Sequence, residues 1–189
     1  MKKLLGVSLM ALSAVSFAEG YSMPQGLTVG LGYSMGTLDV DGGSDFDLSA
    51  VQFRIGNELN ENLALRFDYL IGLGDDSLDL GDGDSLDVEL SSAFSLFLQP
   101  QMNVNEKVKV YGLVGFTRGT IESKINDVSG FFDSEDLGTQ EESDTSLSFG
   151  VGVNGNVKDN IGLYGEYVSY LREDDYDYSA LNLGVTFGF

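Results

Sequence analysis

Beyond residue 25, apolar and polar residues alternate with a period of two, and clusters of turn-forming residues separate the alternating runs. This is the pattern of β-strands with two unlike faces. Eight strands are predicted, over residues 27–35, 48–56, 63–73, 85–102, 108–118, 145–154, 161–171 and 179–189. The third alternates most clearly: Leu63, Leu65, Phe67, Tyr69 and Ile71 oppose Ala64, Arg66, Asp68 and Leu70. In the first, Leu27, Val29, Leu31 and Tyr33 oppose Thr28, Gly30, Gly32 and Ser34, and in the second Val51, Phe53 and Ile55 oppose Gln52 and Arg54. The fourth is expected to set Val88, Leu90, Phe94, Leu96 and Leu98 against Glu89, Ser91, Ala93 and Ser95. The sixth sets Leu147, Phe149, Val151 and Val153 against Ser148, Gly150, Gly152 and Asn154, while the fifth is apolar on both faces and its orientation is not fixed by the pattern.

The connections alternate in length. Short ones at 57–62, 103–107 and 156–160 are interleaved with longer ones at 39–47, 74–84, 122–144 and 172–178. An up-and-down meander of eight antiparallel strands requires this arrangement, with both chain ends on the short-turn side. Ahead of the strands, Met1-Lys2-Lys3, an apolar stretch over 4–15 and Ser16-Phe17-Ala18 have the form of a cleavable export signal. The apolar stretch is shorter than the ~18 to 20 residues of a spanning helix. Residues 1–18 are therefore expected to be a signal peptide and 19–189 a single all-β domain.

Alternation alone does not say whether the apolar face points into a soluble barrel or out to lipid. The opposite face decides. In strands one, six and eight it is mostly Gly, Ser, Thr and Asn, too small and uncharged for a water-solvated exterior but suited to a narrow bore. Arg54, Arg66, Asp68, Glu89 and Glu166 fall on that face, with Lys109 a further candidate. Buried charges of both signs are expected to form lumen ion pairs, because isolated ones are costly. In lipid every amide must be satisfied internally, so a chain with no spanning-length apolar run crosses as a closed eight-stranded antiparallel up-and-down transmembrane β-barrel. A soluble periplasmic ligand-binding barrel is the alternative.

The sequence from Asn182 to Phe189 places Leu183, Val185, Phe187 and Phe189 on one face. Asn182, Gly184, Phe187 and Phe189 match polar-x-Gly-x-x-aromatic-x-aromatic, which resembles the assembly signal of outer-membrane barrels. With the export signal, the eight strands and Gly-rich runs such as Tyr111-Gly112-Leu113-Val114-Gly115-Phe116, the chain resembles the small OmpA/OmpX-type barrels of the outer membrane protein beta-barrel domain family. The resemblance implies the bacterial outer membrane, contact with its lipid and lipopolysaccharide, and recognition by the barrel assembly machinery. It also implies that the longer connections are extracellular. Because the sequence stops at the barrel, the peptidoglycan-binding domain of the larger OmpA pattern is not carried over.

Charge then narrows the function. The chain has 30 acidic and 10 basic residues, and two of the basic ones, Lys2 and Lys3, lie in the export signal. Such a field repels nucleic acid, and no basic patch offsets it. Of the 30 carboxylates, 22 fall in 39–47, 75–87, 122–144 and 172–177, at the long-connection end. Asp39, Asp41 and Asp45 in one cluster and Asp82, Asp84 and Asp87 in another are weak candidates for divalent cations, which favour carboxylates on Gly-containing loops. Neither cluster has the EF-hand register, and a solvated acidic surface is the plainer reading. With no His and no Cys, Ser-His-Asp and Cys-His catalysis and thiolate or imidazole metal sites are unavailable, so neither enzyme activity nor a cofactor is expected. A structural or adhesion-like role through acidic extracellular loops is expected, with a narrow channel for small or hydrophobic solutes as the alternative.

Overall fold

The computed structural model describes residues 26–40, 43, 45–81, 84–126, 139–173 and 176–189. Nine strands appear: β1 (Leu27–Val40), β2 (Phe46–Asn60), β3 (Leu63–Gly72), β4 (Asp75–Gly81), β5 (Asp84–Asn103), β6 (Val108–Asn126), β7 (Thr139–Lys158), β8 (Ile161–Arg172) and β9 (Tyr176–Gly188). All neighbours pair antiparallel, and the ring closes where β1 meets β9 and β3 meets β5. Eight staves result, because β3 and β4 are one wall interrupted at Leu73 and Gly74. The seam is finished at the chain ends, where the Gly26 amide donates to Phe189 O at 3.2 Å and the Phe189 amide to Leu27 O at 2.9 Å.

Asparagines shape two of the short turns. Asn60 Oδ1 accepts from the Asn62 amide at 2.9 Å, and Asn105 Oδ1 from the amides of Lys107 and Val108 at 2.8 and 2.9 Å. Each side chain replaces a backbone acceptor that the reversing chain cannot supply.

The outer wall carries an apolar belt that includes Leu31, Tyr33, Ile55, Phe67, Leu96, Phe116, Phe149, Val151, Leu163 and Leu183. Exposure on this scale, all round a closed sheet, is what a lipid-facing band requires. The polarity of the two faces inverts along each stave. On β1 the outward positions run Leu31, Tyr33, Met35, then Thr37 and Asp39, while the inward ones run from Ser34 to Leu38 and Val40. On β2 the inward positions run from Arg54 and Gln52 to Ala50, Leu48 and Phe46. The bore is therefore polar only toward the short-turn end. Its other half is packed with apolar side chains, among them Leu38, Phe46, Leu48, Leu70, Leu90, Val168, Leu171 and Tyr178. This corrects the expectation of a polar lumen throughout. Where the outer wall turns acidic it stands in water, and the hydrophobic effect then drives apolar side chains inward, as in a soluble barrel.

The same inversion accounts for two further corrections. Among the described residues the long connections are largely strand: β4 lies inside 74–84, β6 runs through 122–126 and β7 through 139–144. Alternation continues there with its faces exchanged. In β5 the register shifts between Leu90 and Ser92, so Val88 and Leu90 face inward together with Ala93, while Phe94, Leu96 and Leu98 face out. Glu89 consequently takes the outer face. In β6, Tyr111, Leu113, Thr117 and Ile121 are buried and Val114 and Phe116 exposed, which settles the orientation the pattern left open.

Candidate functional site: the closed bore and the projecting sheet

Arg54 and Asp68 are cross-strand partners on β2 and β3, and Arg66 precedes Asp68 by two residues on the same inward face. Glu166 approaches from β8 on the far side of the bore. Its Oε1 accepts from Arg54 Nη2 at 2.6 Å and Arg66 Nη2 at 2.7 Å, and its Oε2 from Arg66 Nη1 at 2.8 Å. Asp68 Oδ1 accepts from Arg66 Nε at 2.8 Å and Arg54 Nε at 3.3 Å, and Arg66 Nη2 also pairs with Asp68 Oδ2. Two guanidinium groups thus meet two carboxylates with no net charge, all at 5% exposure or less. Further acceptor sites on the carboxylates are served by Gln52, Tyr111 and Asn182, which donate to them at 2.9, 2.7 and 3.2 Å. Tyr164 donates to Gln52 Oε1 at 2.7 Å and lies under the Arg54 guanidinium, 3.8 Å from ring centroid to Cζ.

Four of the five charges assigned to the lumen from the sequence thus come together, and Glu89 does not. Lys109 pairs instead with Glu58 at the short-turn mouth. The neutral partners Gln52, Tyr111, Tyr164 and Asn182 were not singled out as network members, although they share inward parity with Arg54 and Glu166. Asn182 and Gly184 of the carboxy-terminal motif also face inward, whereas Phe187 and Phe189 are 40% and 49% exposed on the outer wall.

Above the apolar half of the bore the wall is uneven. β7 pairs with β8 only from Phe149 onward, whereas its pairing with β6 continues up to Thr139. β4, the upper part of β5, the upper part of β6 and the start of β7 therefore project as a four-stranded sheet. Hydroxyl groups manage the divergence: Ser146 Oγ accepts from the Arg172 amide at 3.0 Å, and Ser148 Oγ lies 2.7 Å from Tyr170 O. Beyond them, residues 139–145 have no strand partner on the β8 side among the described residues.

The outer face of this sheet carries Asp75, Glu89, Glu122 and Glu141 side by side, each opposite the next in register. Like charges directly across an antiparallel ladder repel. Replacing Glu122, between two carboxylates, with Thr is expected to raise stability by about 0.5 kcal/mol at low salt. The gain should shrink as salt screens the row, a dependence that urea titrations at two ionic strengths would measure.

Among the weak cation candidates, Asp39 and Asp45 are exposed, Asp84 is buried at the start of β5, and Asp87 lies opposite Lys124. Asp41 and Asp82 lie outside the described residues. Among the described residues no three carboxylates are grouped to share an ion.

The model of the outer membrane protein beta-barrel domain matches residues 4–189. The chain belongs to that family. It is 24% identical over 198 residues to the attachment invasion locus protein of Yersinia enterocolitica, covering 100% of this chain and 99% of that one. Two solved structures share the barrel. Ail of Yersinia pestis, in complex with the heparin analogue sucrose octasulfate, superposes with a TM-score of 0.62 at 20% identity, over 88% of this chain and 100% of Ail. Neisserial surface protein A gives 0.60 at 16% identity, over 87% of this chain and 98% of that one. This family member is accordingly an integral outer-membrane β-barrel, and the soluble periplasmic alternative is set aside. By name these relatives are attachment and surface proteins.

Proposed function

We propose that this outer-membrane barrel is a surface-contact protein whose working part is the projecting sheet of β4, β5, β6 and β7, held outside the cell on a closed barrel. The observation that carries the reading is the sheet itself: a β7 segment, 139–145, without a ladder partner on the β8 side among the described residues, beside an outer face with four carboxylates in a row. Open edges take up extended segments from other chains, and charge selects among them. A cationic partner fits.

Transport fits less well. The bore is filled by the charged quartet and, beyond it, by the apolar cluster, and an eight-stranded barrel has little width to spare. Ail is solved with a polysulfated sugar, but binding of such a polyanion does not transfer. The charged outward residues of the projecting sheet are mainly acidic, with Arg118 and Lys124 on β6 as the cations among them.

Purified barrel in lipid nanodiscs should be retained on an amine-bearing surface and pass through a heparin one. Changing Glu89, Glu122 and Glu141 together to Lys should abolish the first retention without altering the fold. Equal retention on heparin, or indifference to the triple change, would overturn the assignment.

The support for a targeting role of Asn182, Gly184, Phe187 and Phe189 is their match to the assembly pattern together with the outward placement of the two phenylalanines. We infer that Phe187 and Phe189 are the part available to the assembly machinery, since Asn182 and Gly184 are turned into the bore. The acidic hairpins are read as a solvated surface facing lipopolysaccharide and the medium rather than as a defined cation site.

A further inference from the structure

Where the polar half of the bore meets the apolar half, one layer of side chains leaves its hydrogen bonds unfinished. Ser34 on β1 and Asn182 on β9 are cross-strand partners at the closing seam, both turned inward and both at 0% exposure. Asn182 Nδ2 donates to Glu166 Oε1 at 3.2 Å and to the Tyr170 hydroxyl at 2.8 Å. Glu166 and Tyr170 both belong to β8, on one side of β9. The amide is therefore held with its nitrogen toward β8 and Oδ1 toward β1, where Ser34 stands. Yet neither Asn182 Oδ1 nor Ser34 Oγ has a partner among the described residues.

Two tyrosines reach this layer from the apolar side. The Tyr178 backbone lies opposite Leu38, but its ring runs back along β1 over Gly36, where a Cβ would stand 2.5 Å from the hydroxyl. Ser34 is the next inward residue along β1, and the Tyr178 hydroxyl is aimed at it without reaching hydrogen-bond geometry. Tyr170 stacks on Tyr178 with ring centroids 5.8 Å apart, and its hydroxyl accepts from Asn182 and, at 3.2 Å, from Gln52 Nε2. The proton of that hydroxyl has no acceptor among the described residues.

The unserved groups are thus one acceptor, Asn182 Oδ1, and three hydroxyls that can each donate. Buried groups of this kind are costly to leave unpaired. A cation would take the oxygens and leave the hydroxyl protons without an acceptor. An anion would take the protons and leave Asn182 Oδ1. Only a neutral molecule that both donates and accepts serves the whole set, and the apolar cluster above with the quartet below favours the smallest one.

We propose that this layer binds a single buried water, which donates to Asn182 Oδ1 and Ser34 Oγ and accepts from the hydroxyls of Tyr170 and Tyr178. The water joins β1 to β9 inside the seam and ties the charged quartet to the apolar plug. The site is internal to the barrel and independent of the surface-contact reading.

A high-resolution crystal structure of the parent tests this directly. The expected result is a density peak about 2.6 to 3.2 Å from Asn182 Oδ1, Ser34 Oγ and at least one of the two tyrosine hydroxyls. Absence of that peak would overturn the assignment, whether or not Ser34 Oγ closes directly on Asn182 Oδ1 or Tyr178. Ser34→Ala provides a check in lipid nanodiscs. The water would keep Asn182 and both tyrosines, so the folding equilibrium read by urea titration should fall by less than about tenfold. If serine is itself the partner of Asn182 and Tyr178, its removal strands both at once. A loss beyond about tenfold would therefore also overturn the assignment.

Discussion

Glu166→Ala is expected to lower the unfolding free energy of the barrel by about 3 to 5 kcal/mol, read from urea titration of the folded, heat-modifiable band in lipid. Glu166 is 2% exposed and accepts from both guanidinium groups, from Tyr111 and from Asn182. Without it, Arg54 and Arg66 are left with Asp68 as their one carboxylate partner, and a net positive charge is stranded in the bore. The loss comes chiefly from that unpaired charge and its unserved donors, not from the pair energy itself.

This account makes an unusual demand on a double variant. Arg54→Met combined with Glu166→Leu deletes more groups than Glu166→Ala does, yet it leaves Arg66 and Asp68 as a neutral, doubly hydrogen-bonded pair. Its cost should therefore be smaller than that of Glu166→Ala alone, a non-additivity expected of charges in one network. If the double variant is the less stable of the two, or Glu166→Ala stays within about 1 kcal/mol of the parent, the quartet does not close the bore as described.

The staves of the membrane band were legible because lipid and bore impose opposite demands on successive residues. Residues 63–71 show both demands in nine positions, and the structure keeps every one of their faces. Legibility failed where the surroundings change along a strand. Val88 and Leu90 are apolar, and alternation placed them with Phe94, but a water-facing exterior and a register shift at Leu90 turn them inward. Glu89 moved with them, out of the lumen set. The acidic segments looked like loops because Asp and Gly are turn formers, yet Leu78, Leu86 and Val88 supply an inward apolar row that sustains strand pairing. The quartet could be anticipated from parity and charge. Its neutral ligands could not, since Tyr111 and Tyr164 gain their partners from strands distant in sequence, Glu166 and Gln52. The glycines opposite Tyr164 carry that missing information.

Gly184→Ala is the second large effect expected, and it separates two reasons for the same residue. Gly184 on β9 faces Gly32 on β1 across the seam, and the two together leave the slot occupied by Tyr164. A Cβ at Gly184 would stand 2.4 Å from Leu31 O and 2.6 Å from the Tyr164 ring. One at Gly32 would stand 2.1 Å from the Tyr164 hydroxyl. The tyrosine cannot yield without releasing Gln52 and uncovering Arg54. Overpacking of this kind costs about 1 to 3 kcal/mol, and the contact with a backbone carbonyl places Gly184→Ala toward the upper end. Because the cause is steric, the variant should refold poorly into pure lipid vesicles, with no other protein present. Adding Tyr164→Val should restore part of the yield, the clash with Leu31 O remaining. Phe189→Ala provides the opposite case: its ring lies on the outer wall, so it should refold in vesicles nearly as the parent does, and lose yield only in cells, where assembly depends on recognition. Parent-like refolding of Gly184→Ala in vesicles would remove the steric explanation and leave targeting as the reason for the glycine.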